Sequence, residues 1–282
     1  MIPLGKEDVL PVFLGASPAA LGLAAEFAGA FGMRSHLFGG PALPGTVGHD
    51  VPPRMTETAL LDFVRVPRPG RCLLLPATAA GAEWLAARRE TLAPFCLFGD
   101  NGRLALAAPP PEQVTGRACL CHRQESGACT AVPVQVLLAR AGQVLLAQTV
   151  QDASLAAACG ALLEKAGYAG FCTLFFRDGE VYGLPYPAEG GRLLAALGLS
   201  VARALLTERV CYTPGETRAE WRPLWYSALR EREWPMAWQA ECFRRRRQGD
   251  VVFLRTPSRR CPPAAFWDCV ERPEGLRTED GA

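Results

Sequence analysis

The chain has 282 residues, of which 49% are apolar and 21% charged, and its formal net charge is +2. That length holds one large or two modest domains with a sizeable core, and the balance excludes a disordered or fibrous chain and one that is basic throughout. No apolar run approaches the about 18 residues that span a bilayer, and residues 1–14 carry one lysine, two acids and two prolines rather than an export pattern, so a cytoplasmic protein is expected.

The run Val9-Leu10-Pro11-Val12-Phe13-Leu14 ends at Gly15 and predicts a buried strand. Ser17-Pro18 predicts a helix cap with proline in the first turn, and Leu21, Ala24, Ala25, Ala28 and Phe31 follow at helical spacing. A second strand is expected over Arg34 to Phe38, which makes a βαβ opening and implies a parallel sheet. Pro41 to Arg54 is rich in proline and glycine and predicts a loop. Helices are expected at Thr56 to Val64 and Gly81 to Leu92, and strands at Arg71 to Pro76 and Phe95 to Phe98. This N-terminal α/β unit is doubly wound, so its ligand crevice is expected beyond the strand ends, near Gly15, Ser17 and Pro76. The G-x-G-x-x-G fingerprint of dinucleotide sites is absent from Gly15 to Gly22.

Ala107-Ala108-Pro109-Pro110-Pro111 marks the domain boundary. Beyond it strands are predicted over Val132 to Leu138, Gln143 to Val150, Phe171 to Phe176 and Glu180 to Leu184, with Asp178-Gly179 as a hairpin turn. Helices are expected over Ser154 to Ala166, stopped by Gly167, and over Arg192 to Leu206. The expected architecture is α/β: a parallel-sheet domain over 1–106, an α+β domain over 107–212, and a helical segment rich in Trp and Arg over 213–282.

Eleven cysteines, an odd number, argue against a disulfide framework. Cys119, Cys121, His122 and Cys129 form the densest cluster, but zinc sites favour C-x2-4-C pairs and this spacing fits poorly, so buried thiols on a strand are expected. Adjacent residues on a strand face opposite ways, which separates Cys121 from His122 as a nucleophile and base. The other two histidines are His36 on a predicted strand and His49 in the predicted loop. Between Arg218 and Arg260 eleven arginines face five acids, and Trp221, Trp225, Trp234, Trp238 and Trp267 lie in the same C-terminal region. Arginine and tryptophan interleaved in this way can hold nucleic acid or an anionic membrane, or form a charged helical face packed on the body.

Several short blocks resemble ATP-grasp carboxylate–amine ligases, closest to the D-aspartate-ligase-like branch. They are Pro11 to Ser17 with Gly22-Leu23-Ala24 and Arg34-Ser35-His36, Leu73 to Pro76 with Ala86 to Leu92, Tyr168 to Phe171, Asp178 to Tyr182, Gly191-Arg192, and Pro223 to Tyr226. The resemblance implies a pre-ATP-grasp-like first domain and a truncated ATP-grasp-like second one. It covers most of the chain in pieces, none diagnostic alone. Active members are longer, and the shortfall falls near Asp100 to Thr130, where the family carries a nucleotide-binding lobe with phosphate-holding lysines. This chain has no lysine between Lys6 and Lys165. In the family, one acid on the first hairpin strand and a Glu-x-Asn on the second hold magnesium. Those positions fall on Phe175, Pro185 and Pro187 here, and the arginine that follows falls on Glu189. Phe and Pro offer magnesium no side-chain oxygen.

The leading expectation is therefore a degenerate ATP-grasp-like protein without ligase chemistry or a required cofactor or metal. It would bind a small molecule, with Gly15, Ser17, Pro76 and Arg192 as crevice residues, or a partner protein such as a genuine ligase or a cell-wall-precursor enzyme. A second reading keeps an ATP- and magnesium-dependent ligase with rearranged carboxylates from Asp178, Glu180 and Glu189, which must then converge. A third is a nucleic-acid or anionic-membrane binder acting through the C-terminal segment. The modest net charge disfavours nucleic acid.

Overall fold

The computed structural model describes residues 9–40, 46–49, 56–67, 70–140, 142–207, 218–221 and 251–254. The first half builds one parallel sheet. Strands β1 (Val9–Leu14), β2 (Ser35–Phe38), β3 (Thr46–His49), β4 (Arg71–Pro76) and β5 (Cys96–Phe98) lie in the order β3-β2-β1-β4-β5, all parallel. Helices α1 (Pro18–Phe31), α2 (Thr56–Arg65) and α3 (Ala79–Leu92) make the crossovers. Alternation along the strands sorts the two faces. Phe13, Leu37, Leu73 and Leu75 share a core with α1, while Val12, Leu14, Phe38 and Leu74 pack with Leu60 of α2 and Trp84 and Leu85 of α3.

The Pro/Gly-rich stretch expected to be a loop contains β3. Four residues between breakers give no periodic signal, and the strand is held by tertiary contacts instead. His49 stacks on Phe38 with ring centroids 4.1 Å apart, its Nε2 lies 2.8 Å from His36 Nδ1, and Phe63 of α2 closes the group.

The second half is a mixed, largely antiparallel sheet. Strands β6 (Gly116–Arg123), β7 (Cys129–Arg140), β8 (Gln143–Thr149), β9 (Gly170–Arg177), β10 (Glu180–Leu184), β11 (Arg218–Trp221) and β12 (Val251–Leu254) run in the order β10-β9-β6-β7-β8-β11-β12. Helix α4 (Ala153–Ala166) covers one face; α1 with α5 (Arg192–Ala196) and α6 (Val201–Thr207) lies on the other. One continuous core joins α1, the inner face of the parallel sheet and Val132, Val134, Val136, Val144, Phe171 and Phe175 of the second sheet. The hairpin turn is as predicted: Asp178 and Gly179 both take positive φ, 48° and 84°.

Two further expectations are corrected. The helix predicted over Arg192 to Leu206 is two helices, because Gly198 takes φ 89° after α5 and Ser200 accepts the Arg203 N–H at the start of α6. In the C-terminal segment, expected to be helical, Arg218–Trp221 and Val251–Leu254 are strands that pair in parallel and extend the second sheet from β8. The rest of that segment, with the arginine run 244–247 and Trp225, Trp234, Trp238 and Trp267, lies outside the described residues. No helix among the described residues is long and apolar enough to cross a membrane.

Candidate functional site

The strand ends where a doubly wound sheet usually admits a ligand are closed against each other. Ser17 is fully buried; its Oγ donates to Ala77 O at 2.7 Å and accepts the Ala20 N–H at 3.0 Å, so the hydroxyl serves the α1 cap and the β4 end together. Pro76 is buried as well. A Cβ on Gly15, where φ is +94°, would lie 2.4 Å from Thr78 Oγ1, and one on Gly40 would lie 2.3 Å from Ala16 Cβ. Glycine at 15 is what lets Thr78 cap α3, by accepting the Gly81 N–H at 3.0 Å. Arg192, the fourth crevice residue expected, stands at the first turn of α5 beside Glu26 rather than with Ser17.

The hairpin positions separate too. Phe175 is fully buried in the shared core and Pro187 is buried. Asp178 and Glu180 are exposed at the turn, where the Tyr182 hydroxyl donates to Glu180 Oε2. Glu189 lies beyond the other end of β10, a strand about 13 Å long at about 3.3 Å per residue, and only 1% of its surface is exposed. The structure does not bring these three carboxylates together. The segment between β10 and Glu189 is tied down by Thr173, whose hydroxyl donates to Tyr186 O and accepts the Ala188 N–H, each at 2.9 Å.

Glu189 meets a different acid, Glu26 of α1, which the sequence reading did not single out. Its signal was present: Glu26 is the one charged residue between Pro18 and Phe31. Glu189 Oε2 accepts the Leu193 N–H at 3.0 Å at the start of α5. Glu26 lies against Ser200 and the amides of Val201 and Ala202 at the start of α6, although neither of its oxygens reaches a hydrogen bond of good geometry. Burial raises Glu26 to about 7, against those contacts and the Arg192 charge, which lower it. Burial raises Glu189 to about 8, with the Glu26 charge acting in the same direction.

A cavity lies elsewhere, along the seam between the sheets. It encloses about 430 Å³, with an apolar floor from Leu73, Leu97, Phe98 and α6 and a polar side from Asp100, His122, Arg123 and the β6–β7 turn. The seam is joined where Asp100 pairs with Gly170 as an isolated bridge, and there a Cβ on Gly170 would stand 2.6 Å from Asp100 Cβ. Asn101 adds three bonds across it: its N–H donates to Ala169 O at 2.9 Å, its Nδ2 to Gly167 O at 2.9 Å, and its Oδ1 accepts the Ala169 N–H at 3.1 Å. Arg89 pairs with Asp100 at 2.9 Å and lies over the Phe98 ring at 4.2 Å. Asp100 is nonetheless raised above the usual carboxylate range by burial, against the Arg89 charge.

Two polar residues of β6 line the cavity, His122 from one face of the strand and Arg123 at its end from the other. His122 stacks on Phe171 at 4.1 Å, and burial holds its imidazole down to about 4, so at neutral pH it is an uncharged donor–acceptor. Arg123 donates from Nη1 to Tyr168 O at 2.8 Å, and its buried Nε has no hydrogen-bond partner among the described residues. The cysteine cluster read from the sequence divides here. His122 faces the cavity, Cys129 is exposed at the start of β7, and Cys119 and Cys121 point to the opposite face, towards α4.

No protein-family model matches the chain, and no curated protein sequence does. Among solved structures it is similar to Rhizobium etli pyruvate carboxylase T882A, with a TM-score of 0.46, 10% identity, and coverage of 72% of this chain and 27% of that one. A single-chain, multi-domain long-chain acyl-CoA carboxylase gives 0.45, 15%, 72% and 28%. The phosphoribosylaminoimidazole carboxylase ATPase subunit from Aquifex aeolicus gives 0.42, 10%, 74% and 79%. The chain thus spans about a quarter of the two large carboxylases.

Proposed function

We propose that this chain is an ATP-grasp-like protein of the carboxylate–amine ligase type, nearest the D-aspartate-ligase-like branch, that binds a small acidic molecule at the seam between its sheets and carries out no ligation. The observation behind the reading is the cavity of about 430 Å³, within the range that takes small organic ligands. Its apolar floor suits a flat or branched carbon skeleton. Arg123 and neutral His122 suit a carboxylate, because a buried, unused Nε–H on a half-buried guanidinium gains most from an anionic acceptor. The absence of ligation is supported by Phe175, Pro185 and Pro187 at the positions that hold magnesium in the resembled family, and by the separation of Glu180 from Glu189.

The test is a thermal-shift series with full-length protein and Arg123→Met, against millimolar ATP with magnesium and against a panel of small mono- and dicarboxylic acids. A ligand at about 100 times its Kd adds roughly 2.7 kcal/mol, a shift of several degrees for a chain of this size. The expected result is no shift with ATP and magnesium, and a shift with at least one acid that Arg123→Met abolishes. A magnesium-dependent shift with ATP would replace this reading with that of an active ligase. Acids that shift both proteins equally would remove the cavity assignment.

A further inference from the structure

The face of the second sheet turned away from the cavity carries a group of thiols that the seam does not use. Cys119 and Cys121 lie two apart on β6, hence on one face, and Cys172 of β9 pairs directly with Cys121 in register. Across from them α4 presents Leu155, Cys159 and Leu163 at four-residue intervals, one stripe of the helix laid on the sheet. The Sγ atoms of Cys119, Cys121 and Cys159 all lie within 4.8 Å of one another, and all three residues are buried. The Cys121 thiol also makes a side-chain contact with that of Cys172.

We propose that Cys119, Cys121 and Cys159, with Cys172 as the fourth donor, form a binding site for a soft d10 metal ion, Zn²⁺ or Cu⁺. Three arguments carry it. The first is geometry: four sulfurs around zinc at about 2.3 Å stand about 3.8 Å apart. Sulfurs already within 4.8 Å need only small side-chain rotations to close on an ion. The second is donor type. The group contains thiols and neither carboxylate nor imidazole, since His122 faces the opposite side of the sheet, and such a set selects zinc or copper(I) over magnesium or calcium. The third is support. The donors stand on two hydrogen-bonded strands and a 14-residue helix, inside a shell of Leu155, Leu163, Tyr168 and Leu174 that excludes water, as a closed structural site requires.

Each thiol that coordinates releases its proton to solvent, so affinity rises with pH. The sequence hid the site because a C-x-C pair and two thiols more than thirty residues away match no common zinc spacing.

Reduced full-length protein is titrated with Zn²⁺ against a chromogenic chelator, and separately with Cu⁺ against bicinchoninate. The same titrations follow for Cys119→Ser, Cys159→Ala and Cys129→Ser. The expected result is one tightly held ion per chain, weakened about a hundredfold or more by the first two changes and unaffected by Cys129→Ser, which alters an exposed thiol outside the group. Because a core variant can lose its fold, alkylation mapping by mass spectrometry on the unaltered protein provides a second readout. In mild denaturant, which opens the buried thiols to the reagent, the ion should protect Cys119, Cys121, Cys159 and Cys172 and leave Cys129 reactive. Retention of Zn²⁺ alone assigns the four-sulfur site, and retention of Cu⁺ alone assigns a monovalent one. Binding of neither ion, protection of other cysteines, or loss of binding with Cys129→Ser overturns the proposal.

Discussion

Replacing Glu189 by glutamine should make the protein more stable in alkaline solution and leave it unchanged in acid. The carboxyl is raised from an ordinary 4.5 to about 8, first by burial and then by the neighbouring Glu26. Between those two values the folded chain holds a proton that the unfolded chain has released. The resulting stability is complete below about 4.5 and is lost as pH rises through about 8. At about 1.4 kcal/mol per pKa unit, moving from about pH 5 to about pH 9 costs the native state on the order of 3–4 kcal/mol at this residue. The amide introduced by Glu189→Gln would keep the bond from the Leu193 N–H, fill nearly the same volume and never ionise. Melting temperatures of the two proteins should agree near pH 5 and differ by roughly 5–10 °C near pH 9, with the variant higher. Differential scanning calorimetry across that range measures it. Parallel curves for the two proteins would mean that Glu189 ionises in water at its ordinary pKa, and that the seam of α1 and α5 is open there.

Two further changes test the packing that positions the sites. Ser17→Ala removes the cap of α1 and leaves the buried Ala77 carbonyl without its hydroxyl donor, so the urea midpoint should fall by an amount equivalent to about 1–3 kcal/mol with an unchanged slope. Gly22→Ala should reverse the usual sign. Inside an exposed helix it would gain about 1 kcal/mol, but here the new Cβ would lie 2.5 Å from Gly190 O, so the same denaturation assay should show a loss.

How much of this was legible depended on whether the signal was local. Ser17-Pro18 stated the start of α1, Gly167 the end of α4 and Asp178-Gly179 the β9–β10 turn, because each needs only its neighbours to adopt its geometry. Strand β3 was not legible, since Thr46 to His49 is held by His36, Phe38 and Phe63 from other elements. Nor was the break between α5 and α6, where the apolar pattern runs on through Gly198. The candidate sites were the least legible of all. Cys159 meets Cys119 only because α4 lies across β6, and His122 and Asp100 line one cavity only because the Asp100–Gly170 bridge joins the sheets.

Strand β6 shows how one short segment serves two unrelated environments. Its odd residues 119 and 121 turn their thiols to α4, while its even residue 122 turns an imidazole to the cavity. A register slip of one residue would put His122 among the thiols and Cys121 in the cavity, so both sites depend on the register being fixed. It is fixed on both sides, by β7 from Gly116 through Arg123 and by β9 from Ala118 through Arg123. A strand held in this way cannot rotate to trade one face for the other. The polar cavity and the thiol group are therefore separated by the sheet itself, although Cys121 and His122 are neighbours in the chain. The run C-x-C-H, contiguous in the sequence, resolves into a soft-donor face and a ligand-facing side chain because pleating assigns consecutive residues to opposite sides.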